Sequence, residues 1–503
     1  MVQIAKALSV LLRTFRGLLA MRLKRFAVVA TTGIAVVVMV AACSSSKPKG
    51  GNTSVGGGGG SSTSSAAPSG VPDPGKQPKS KVQAASMTGD CAPFAKYGKY
   101  SGAKVTVYTS ITDPEITYHR DSVKQFEQCT GITIQYQPSK EFEAALKTKV
   151  DGGNAPDIAL FPQPGLLATF ATAGKLKPAT DALTTEAEKN WVPSWIKYGT
   201  VGGFYFAAPL GANLKSLVWY SPKYFKQYGY TVPTTWDDMT KLMDKMAADG
   251  HKPVCAGIES GDATGWPATD WMEEVMLRKY GPDVYDQWIA HTIPFNDPKV
   301  ADVLQIVGSI LKNPKYVNAG IGPVKSIATT AFQKGGLPVE TGKCMLHFQA
   351  NFYAANWDKG TTVGPDGDVY AFYEPTMSDQ FGKVIEVGGE FAGAFSDRAE
   401  VEAVQLYLAS GEWATAKATL NAKAKTSGWA TANQQVDKNV FVDPIDKLSV
   451  SLLTNPQSTA RFDASDLMPS EVGSAAEWKQ LTQWILGQSD SVTLTNIENA
   501  WPK

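Results

Sequence analysis

The chain has no excess of charge of either sign and few residues of the kinds that bind metals. Its 503 residues include 48 Lys and Arg and 47 Asp and Glu, which gives a formal net charge of +1 at pH 7. Nucleic-acid binding draws on a basic surface, and this balance gives no support for one. The four histidines are scattered, and the spacing of the five cysteines matches no zinc-binding pattern. We therefore expect no metal, no cofactor and no nucleic-acid partner.

The motifs of common enzyme classes are missing as well. The sequence contains no G-x-S-x-G, no H-E-x-x-H, no Walker A loop and no credible dinucleotide fingerprint. Neighbouring carboxylates such as Glu273-Glu274 and Asp237-Asp238 are interpreted as solvated helix faces. A glycoside hydrolase needs two convergent carboxylates, an arrangement in space that no sequence motif marks. We expect no enzymatic activity, and a secreted glycoside hydrolase stays as the alternative from another class.

The first 42 residues have the pattern of an export signal. A positively charged segment precedes the apolar run Phe26–Ala42. The run ends in Val40-Ala41-Ala42-Cys43 followed by serines, which resembles the bacterial lipobox. This predicts a signal peptide over residues 1–42 and lipidation of Cys43, with palmitate anchoring the mature protein to the outer face of the cell membrane. A plain secretory signal with a chance cysteine and an uncleaved membrane anchor are the alternatives, and Met21 is a second candidate start.

Residues 43–90 are of low complexity. Gly, Ser, Pro and Lys dominate the segment, and such a composition buries too little apolar surface to fold. We therefore predict a disordered tether, with a root-mean-square reach of roughly 35–40 Å.

Strand and helix patterns alternate through the rest of the chain. Strands are predicted at Lys104–Thr109, Gly131–Gln137 and Pro156–Phe161, with helices between them. This alternation predicts βαβ units and a largely parallel sheet. After Pro209 the pattern restarts with predicted strands at Ser216–Tyr220, Pro253–Glu259, Lys343–Gln349 and Val369–Tyr373. The sequence therefore predicts an α/β fold of two lobes.

Apart from Cys43, four cysteines remain, and an even number in an exported chain indicates two disulfides. Three pairings are open. We favour Cys91–Cys129 and Cys255–Cys344, because each pair then lies within one predicted lobe and close to predicted strands.

Several segments, taken in order, carry a resemblance to a known family. They are Gly152–Asp157, residues 205–239, Gly265-Trp266-Pro267, Ala331–Gly335 with Cys344-Met345, and Gly388-Gly389-Glu390. Together they resemble the extracellular solute-binding proteins of ABC importers, family 1, the carbohydrate-binding group. Arg461–Pro469 is similar to the α-glucoside-binding subgroup of that family. The resemblance covers about residues 100–490, and the long tether and the two cysteine pairs depart from the general pattern.

The resemblance implies a two-lobed, type II periplasmic-binding-protein-like fold, in which each lobe is a mainly parallel sheet flanked by helices. The chain would cross the hinge near Ala207–Leu210, near Val387–Gly389, and once more in its C-terminal third. Lobe one would comprise residues 91–208 plus about 388–445, and lobe two 209–387 plus about 446–503. The implied function is that of a monomeric lipoprotein. It would capture a sugar, an α-glucoside or another oligosaccharide, and deliver it to an ABC permease. Another small solute, such as a polyol or a sugar phosphate, is the alternative.

Candidate ligand contacts follow the predicted strands and hinge crossings. Ligands of open α/β sheets bind beyond the carboxyl ends of strands. Aromatic rings there can stack on sugar faces, and polar groups can bond hydroxyls. On this basis we predict contacts from Asp113, Glu141, Phe161, Gln163, Asn213, Trp266, Asp270, Asn351, Phe352, Glu390, Asp463 and Asp466. The alternative for each is a structural role, such as a helix cap, a turn or a place in the core.

Overall fold

Short strands and helices alternate along the computed structural model, which describes residues 70–318 and 321–503. The strands are β1 (Lys104–Thr109), β2 (Thr133–Pro138), β3 (Ile158–Phe161), β4 (Thr200–Val201), β5 (Phe204–Tyr205), β6 (Ala207–Pro209), β7 (Asn213–Leu214), β8 (Leu217–Tyr220), β9 (Lys252–Val254), β10 (Cys344–Phe348), β11 (Tyr370–Tyr373), β12 (Lys383–Gly388), β13 (Phe391–Ala394) and β14 (Ser458–Phe462).

The α-helices pack against these strands and against one another. They are α1 (Glu115–Ser122), α2 (Lys124–Thr130), α3 (Phe142–Asp151), α4 (Pro164–Thr172), α5 (Asp181–Asn190), α6 (Pro193–Ile196), α7 (Pro222–Tyr228), α8 (Trp236–Ala248), α9 (Trp266–Ile289), α10 (Pro298–Leu311), α11 (Phe332–Gly335), α12 (Ala399–Leu408), α13 (Gly411–Ala424), α14 (Pro444–Leu453), α15 (Ala464–Leu467), α16 (Trp478–Leu486) and α17 (Asp490–Glu498). None of the helices within residues 70–318 and 321–503 combines the length and the apolar character needed to cross a membrane.

Lobe one is built on a five-stranded sheet of order β2-β1-β3-β13-β6. The strands β1, β2 and β3 pair in parallel, while β13 is antiparallel to both of its neighbours, β3 and β6. Every side chain of β3 is buried, as expected for a strand covered on both faces. The alternation along β3 sends Ile158 and Leu160 into one core and Ala159 and Phe161 into another.

Lobe two contains a four-stranded sheet of order β11-β8-β10-β9. The strand β9 is parallel to β10, whereas β8 is antiparallel to both β10 and β11. As in lobe one, a single strand therefore runs against the others. Because this strand lies inside the sheet, two of the three strand pairs are antiparallel, and the expected mainly parallel pairing does not hold in lobe two. A separate three-stranded sheet, β14-β12-β7, was not predicted from the sequence.

Two chain crossings between the lobes lie side by side. The strands β6 and β13 belong to the lobe-one sheet, and their continuations β7 and β12 belong to the three-stranded sheet. Between them, the Leu210 amide donates to the Glu390 carbonyl at 2.9 Å. A Cβ on Gly389 would lie 2.6 Å from the Gly211 carbonyl oxygen, so this approach requires glycine. A third crossing segment, around Ala430, lies beside these two, and the Ala212 amide donates to the Ala430 carbonyl at 3.1 Å.

Both predicted disulfides are present. Cys91 is bonded to Cys129, and Cys255 to Cys344. The first ties the helical turn Gly89–Tyr97 to α2, and the second ties the end of β9 to β10.

Residues 70–90, assigned by composition to the tether, pack against lobe one instead. Gln77 is buried, and its side chain bonds the Tyr205 amide and the Gly203 carbonyl. The Lys81 amide donates to Glu402 at 2.8 Å. This part of the tether prediction is wrong, because composition does not register the backbone and side-chain hydrogen bonds that hold a short polar segment. Residues 43–69, including Cys43, and the predicted signal 1–42 lie outside the described residues.

Two predicted elements are divided in the structure. The helix predicted between the first two strands is interrupted at Val123, between α1 and α2. The segment Val201–Phe206 has the apolar and aromatic residues of one strand but contains the turn of the hairpin β4–β5. Gly202 and Gly203 both have positive φ (60° and 82°) and turn the chain there.

Candidate functional site

A cavity of about 790 Å³ lies between the two lobes. Lobe one lines it with the segments that follow β1, β2 and β3, which contain Asp113, Lys140 and Gln163. These segments leave the carboxyl ends of parallel strands, where ligands of α/β sheets bind. Its volume is in the range of small-molecule sites, about 300–1,000 Å³.

Lobe two lines the same cavity mainly with aromatic side chains. Trp266 lies 5.0 Å from the Phe332 ring and 6.1 Å from the Phe352 ring, measured between centroids. All three line the cavity and form one aromatic wall. A further ring, Trp429, comes from the third crossing and packs edge-on against Trp413 at 5.9 Å. Flat apolar faces of this kind suit a ligand that has apolar C–H faces of its own.

Several polar groups in the cavity wall have no partner within the described residues. Gln163 is 4% exposed, and its Oε1 accepts no hydrogen bond, while its Nε2 donates to Glu143 at 3.0 Å. His119 is 5% exposed, and its Nδ1 is likewise unpaired. Because buried polar groups are normally hydrogen-bonded, these groups favour a ligand that supplies the missing partners.

One lysine in the wall, Lys215, is neutralised by the protein itself. Its Nζ donates to Asp270 Oδ1 at 2.7 Å and to Asp463 Oδ2, and it lies 3.7 Å from Glu386 Oε1. Asp270, Glu386 and Asp463 are also the group of carboxylates within residues 70–318 and 321–503 whose spacing would suit a metal ion. The Lys215 ammonium already lies among these oxygens and supplies the positive charge that a metal would bring.

Burial and neighbouring charges shift the pKa values of carboxylates in the cavity. Burial raises the pKa of Glu115 to about 8 and that of Glu143 to about 7. Burial also tends to raise the pKa of Asp463, but the attraction of Lys215 and the hydrogen bond from it lower this pKa overall. The site therefore offers both protonated and ionised carboxyl groups near neutral pH.

Eight of the predicted ligand contacts line the cavity. They are Asp113, Gln163, Asn213, Trp266, Phe352, Glu390, Asp463 and Asp466. Their contact with a ligand stays a prediction, but the structure brings them together from both lobes and from the crossings.

Four predicted contacts do not line the cavity, for different physical reasons. Phe161 is 0% exposed and points into the core beside Phe142 and Phe170. The Asn351 side chain bonds the Leu214 amide and the Gly428 carbonyl, which leaves it structural.

The other two are a paired group and an exposed one. Asp270 is held by Lys215. Glu141 is exposed and reaches the lobe-two loop instead, where a Cβ on Gly261 would lie 2.8 Å from Glu141 Oε1.

Sequence reasoning missed several charged and aromatic residues of the wall. They are Glu115, His119, Glu143, Lys215, Phe332, Lys417 and Trp429. Glu115 stands two residues after the predicted Asp113, so a wider window after the first strand would have found it. Lys215 and Lys417 follow no local pattern, because their surroundings come from distant parts of the chain.

Comparison with known proteins is consistent with this architecture. Residues 113–409 match the model of the bacterial extracellular solute-binding protein family. An osmoprotective compounds-binding protein of Synechocystis sp. is 37% identical over 75% of this chain and 87% of its own length. The chain belongs to the bacterial extracellular solute-binding protein family. An alpha-glucosides-binding periplasmic protein of Rhizobium meliloti is 32% identical over 81% of this solute-binding protein and 89% of its own length.

Solved structures with the same fold cover most of the chain. The bacterial solute receptor AcbH has a TM-score of 0.68 at 18% identity and covers 80% of this protein and 98% of its own chain. A chitin oligosaccharide binding protein has a TM-score of 0.66 at 19% identity, covering 79% and 97%. The predicted two-lobed α/β fold and the predicted family are therefore confirmed. The protein is an extracellular substrate-binding component of an ABC transporter rather than an enzyme.

Proposed function

We propose that this solute-binding protein captures a neutral sugar, an α-glucoside or another oligosaccharide, in the cleft between its lobes. The observation that carries the proposal is the pairing of an aromatic wall with unpartnered buried polar groups in one cavity. A sugar has apolar C–H faces for the rings and hydroxyls for the amide, carboxyl and imidazole groups. The name of one relative, an alpha-glucosides-binding periplasmic protein, supports the same class of ligand.

Binding would stabilise the closed arrangement of the lobes. The cavity wall comes from both lobes, so a ligand makes its full set of contacts only when they are together. A ligand with differential affinity for the closed form shifts the population towards it. The crossings at Leu210–Ala212 and Gly389–Glu390 are the segments where this movement would concentrate.

We further propose that the closed, loaded protein is a monomer that passes its ligand to an ABC permease. We also propose lobe bounds near 208, 388 and 445.

A thermal-shift screen tests the sugar proposal. Ligands that bind only the folded state raise the melting temperature, by mass action. We expect α-linked glucosides such as trehalose, maltose and maltotriose to include such ligands, and Trp266→Ala to weaken their binding. Trp501→Ala is the matched control, because Trp501 stacks on His291 at 4.0 Å outside the cavity wall. A panel in which polyols or sugar phosphates shift the protein and neutral sugars do not would refute the proposal.

We also propose that Cys43 carries a lipid that holds the protein at the outer face of the cell membrane. The support is the Val40-Ala41-Ala42-Cys43 pattern after an apolar run. Cys43→Ala should move the protein from the membrane fraction to the soluble fraction. Membrane association that persists in this variant would instead indicate an uncleaved span at residues 26–42.

A further inference from the structure

Gly428 has both of its backbone polar groups bonded to buried side chains. Its amide donates to Asp446 Oδ1 at 2.7 Å, and its carbonyl accepts from Asn351 Nδ2 at 2.9 Å. Asn351 Oδ1 in turn accepts from the Leu214 amide of β7 at 2.6 Å. Asn351 is 0% exposed and Asp446 is 3% exposed. The bonds are therefore shielded from water, and breaking one leaves a buried polar group without a partner.

The bonded groups belong to different lobes. Gly428 is followed by Trp429 and Ala430, which pack in the lobe-one core that contains β1. Asn351 comes after β10 of the lobe-two sheet. Asp446 lies on α14, which packs against β7 and against the turn that begins at Asn351. The bonds to Gly428 thus join the third crossing, on its lobe-one side, to lobe two.

The backbone of Gly428 lies directly against lobe two. Its φ is 103°, and a Cβ there would lie 3.1 Å from the carbonyl oxygens of both Asn351 and Phe352. This conformation and this approach favour glycine. Gly428, Phe352 and Trp429 all line the cavity, so the contact between the lobes lies at the cavity wall. A shift at Gly428 would therefore move two of the rings that face a ligand.

We infer that Gly428, held by Asn351 and Asp446, is the pivot about which the two lobes turn. Hinge closure is absorbed by a few residues whose φ and ψ change. A fixed contact beside these residues limits the movement to a rotation and keeps Phe352 and Trp429 in place relative to each other. Asn351 and Asp446 are not part of the cavity wall, so they are positioning residues that act through Gly428. The inference concerns the movement and holds whichever ligand the cleft takes.

Distances between spin labels measure this movement in the ligand-free protein. The labels are attached to Lys147→Cys in lobe one and Lys241→Cys in lobe two, because both lysines are exposed. The Cys43→Ala background leaves the two introduced cysteines for labelling. Pulsed electron paramagnetic resonance then gives the distribution of distances between the lobes, and a thermal melt of each variant gives its stability.

Four variants of the labelled protein separate a pivot from ordinary buried hydrogen bonds. We expect Asn351→Ala and Asp446→Ala to broaden the distance distribution. Asp446→Asn keeps a side-chain oxygen for the Gly428 amide and should restore the distribution of the labelled parent. Asn318→Ala is the matched control, because the buried Asn318 side chain accepts from the Ala256 amide at 2.9 Å within lobe two. It should lower the melting temperature and leave the distribution unchanged.

A purely structural role would give a different result. Asn351→Ala and Asp446→Ala would then lower the melting temperature, as Asn318→Ala does, while the distance distribution stayed that of the labelled parent, and the inference would be overturned. Equal broadening by the Asn318→Ala control would overturn it as well. If Asn351→Ala does not fold, the comparison of Asp446→Ala with Asp446→Asn decides alone. Because these measurements use no ligand, failure of the sugar proposal in the thermal-shift screen does not affect them.

Discussion

Removing the positive charge of Lys215 should destabilise the protein strongly. Lys215 Nζ lies 2.7 Å from Asp270 Oδ1 and 3.7 Å from Glu386 Oε1, and it also bonds Asp463. At an effective dielectric constant of about 20, the attraction between two ionised groups at these distances is worth about 5 kcal/mol. The desolvation of the buried charges costs several kcal/mol per ion and offsets much of this attraction. Breaking a buried pair by removing one partner typically costs about 3–5 kcal/mol. We therefore expect Lys215→Met to lower the free energy of unfolding by about that amount.

The loss should depend on pH in a defined direction. In the wild type, the pKa of Asp463 is lowered in the folded state, so its stabilising contribution is present above the unfolded pKa and is lost on acidification. Burial already raises the pKa of Asp270 to about 7 and that of Glu386 in the wild type. Without Lys215, burial and the repulsion between the carboxylates raise the pKa values of Asp270, Glu386 and Asp463 further. Their folded forms then retain protons, and stability falls as pH rises through the raised pKa values. The difference between variant and wild type should therefore be larger at pH 8 than at pH 5.

Urea unfolding followed by circular dichroism at these two pH values measures the effect. Lys147→Met is the matched control, because Lys147 forms an exposed pair with Asp151 at 2.7 Å, and such pairs contribute little. The reasoning is wrong if Lys215→Met unfolds at the same urea concentration as the control. It is also wrong if the difference from wild type is the same at both pH values.

Three further perturbations follow from contacts at the cavity and in lobe two. Glu141→Gln should tighten sugar binding at low salt and not at high salt. The hydrogen bond to the Asp262 side chain and the negative charge of that side chain raise the pKa of Glu141. The substitution removes the repulsion between these two carboxylates, and calorimetry at two ionic strengths measures the effect. Cys255→Ser with Cys344→Ser opens a loop of sequence separation 89 and should cost about 4–5 kcal/mol in the chain-entropy treatment, measured by urea unfolding. Gly389→Ala should lower both the melting temperature and the sugar affinity, because its Cβ would lie 2.6 Å from a carbonyl oxygen across the crossings.

Local sequence patterns predicted the strands well. The segment Lys104–Thr109 alternates polar and apolar residues and forms β1 over those bounds. The apolar run at Ile158–Phe161 needed burial on both faces, and β3 is the central parallel strand that supplies it. These features depend on neighbours in the chain, which a sequence displays directly. The crossing near Ala207–Leu210, by contrast, was implied by the family resemblance.

The site was predicted less well because its chemistry depends on residues far apart in the chain. Asn351 and Asp270 have side chains suited to sugar hydroxyls, but the protein uses both for its own hydrogen bonds. Phe161 ends a strand as predicted, yet the alternation of side chains along β3 points it into the core. Lys417 lies in the alanine-rich helix α13, whose sequence predicts a solvent-exposed helix. Only packing against α1 and the crossings makes it part of the cavity.

The two buried lysines show how the protein assigns charges within one cavity. Lys215 is neutralised by carboxylates of its own lobe, so its charge is satisfied before any ligand arrives. Lys417 lies at comparable depth without such partners, although carboxylates lie nearby. Desolvation disfavours both buried ammonium groups. Because only Lys417 lacks carboxylate partners among the described residues, only Lys417 gains a new hydrogen bond from a bound molecule. A ligand that both accepts and donates hydrogen bonds recovers most there. For this reason Lys417, rather than the larger charge network at Lys215, is the buried lysine of the cavity wall that has interactions left to offer a ligand.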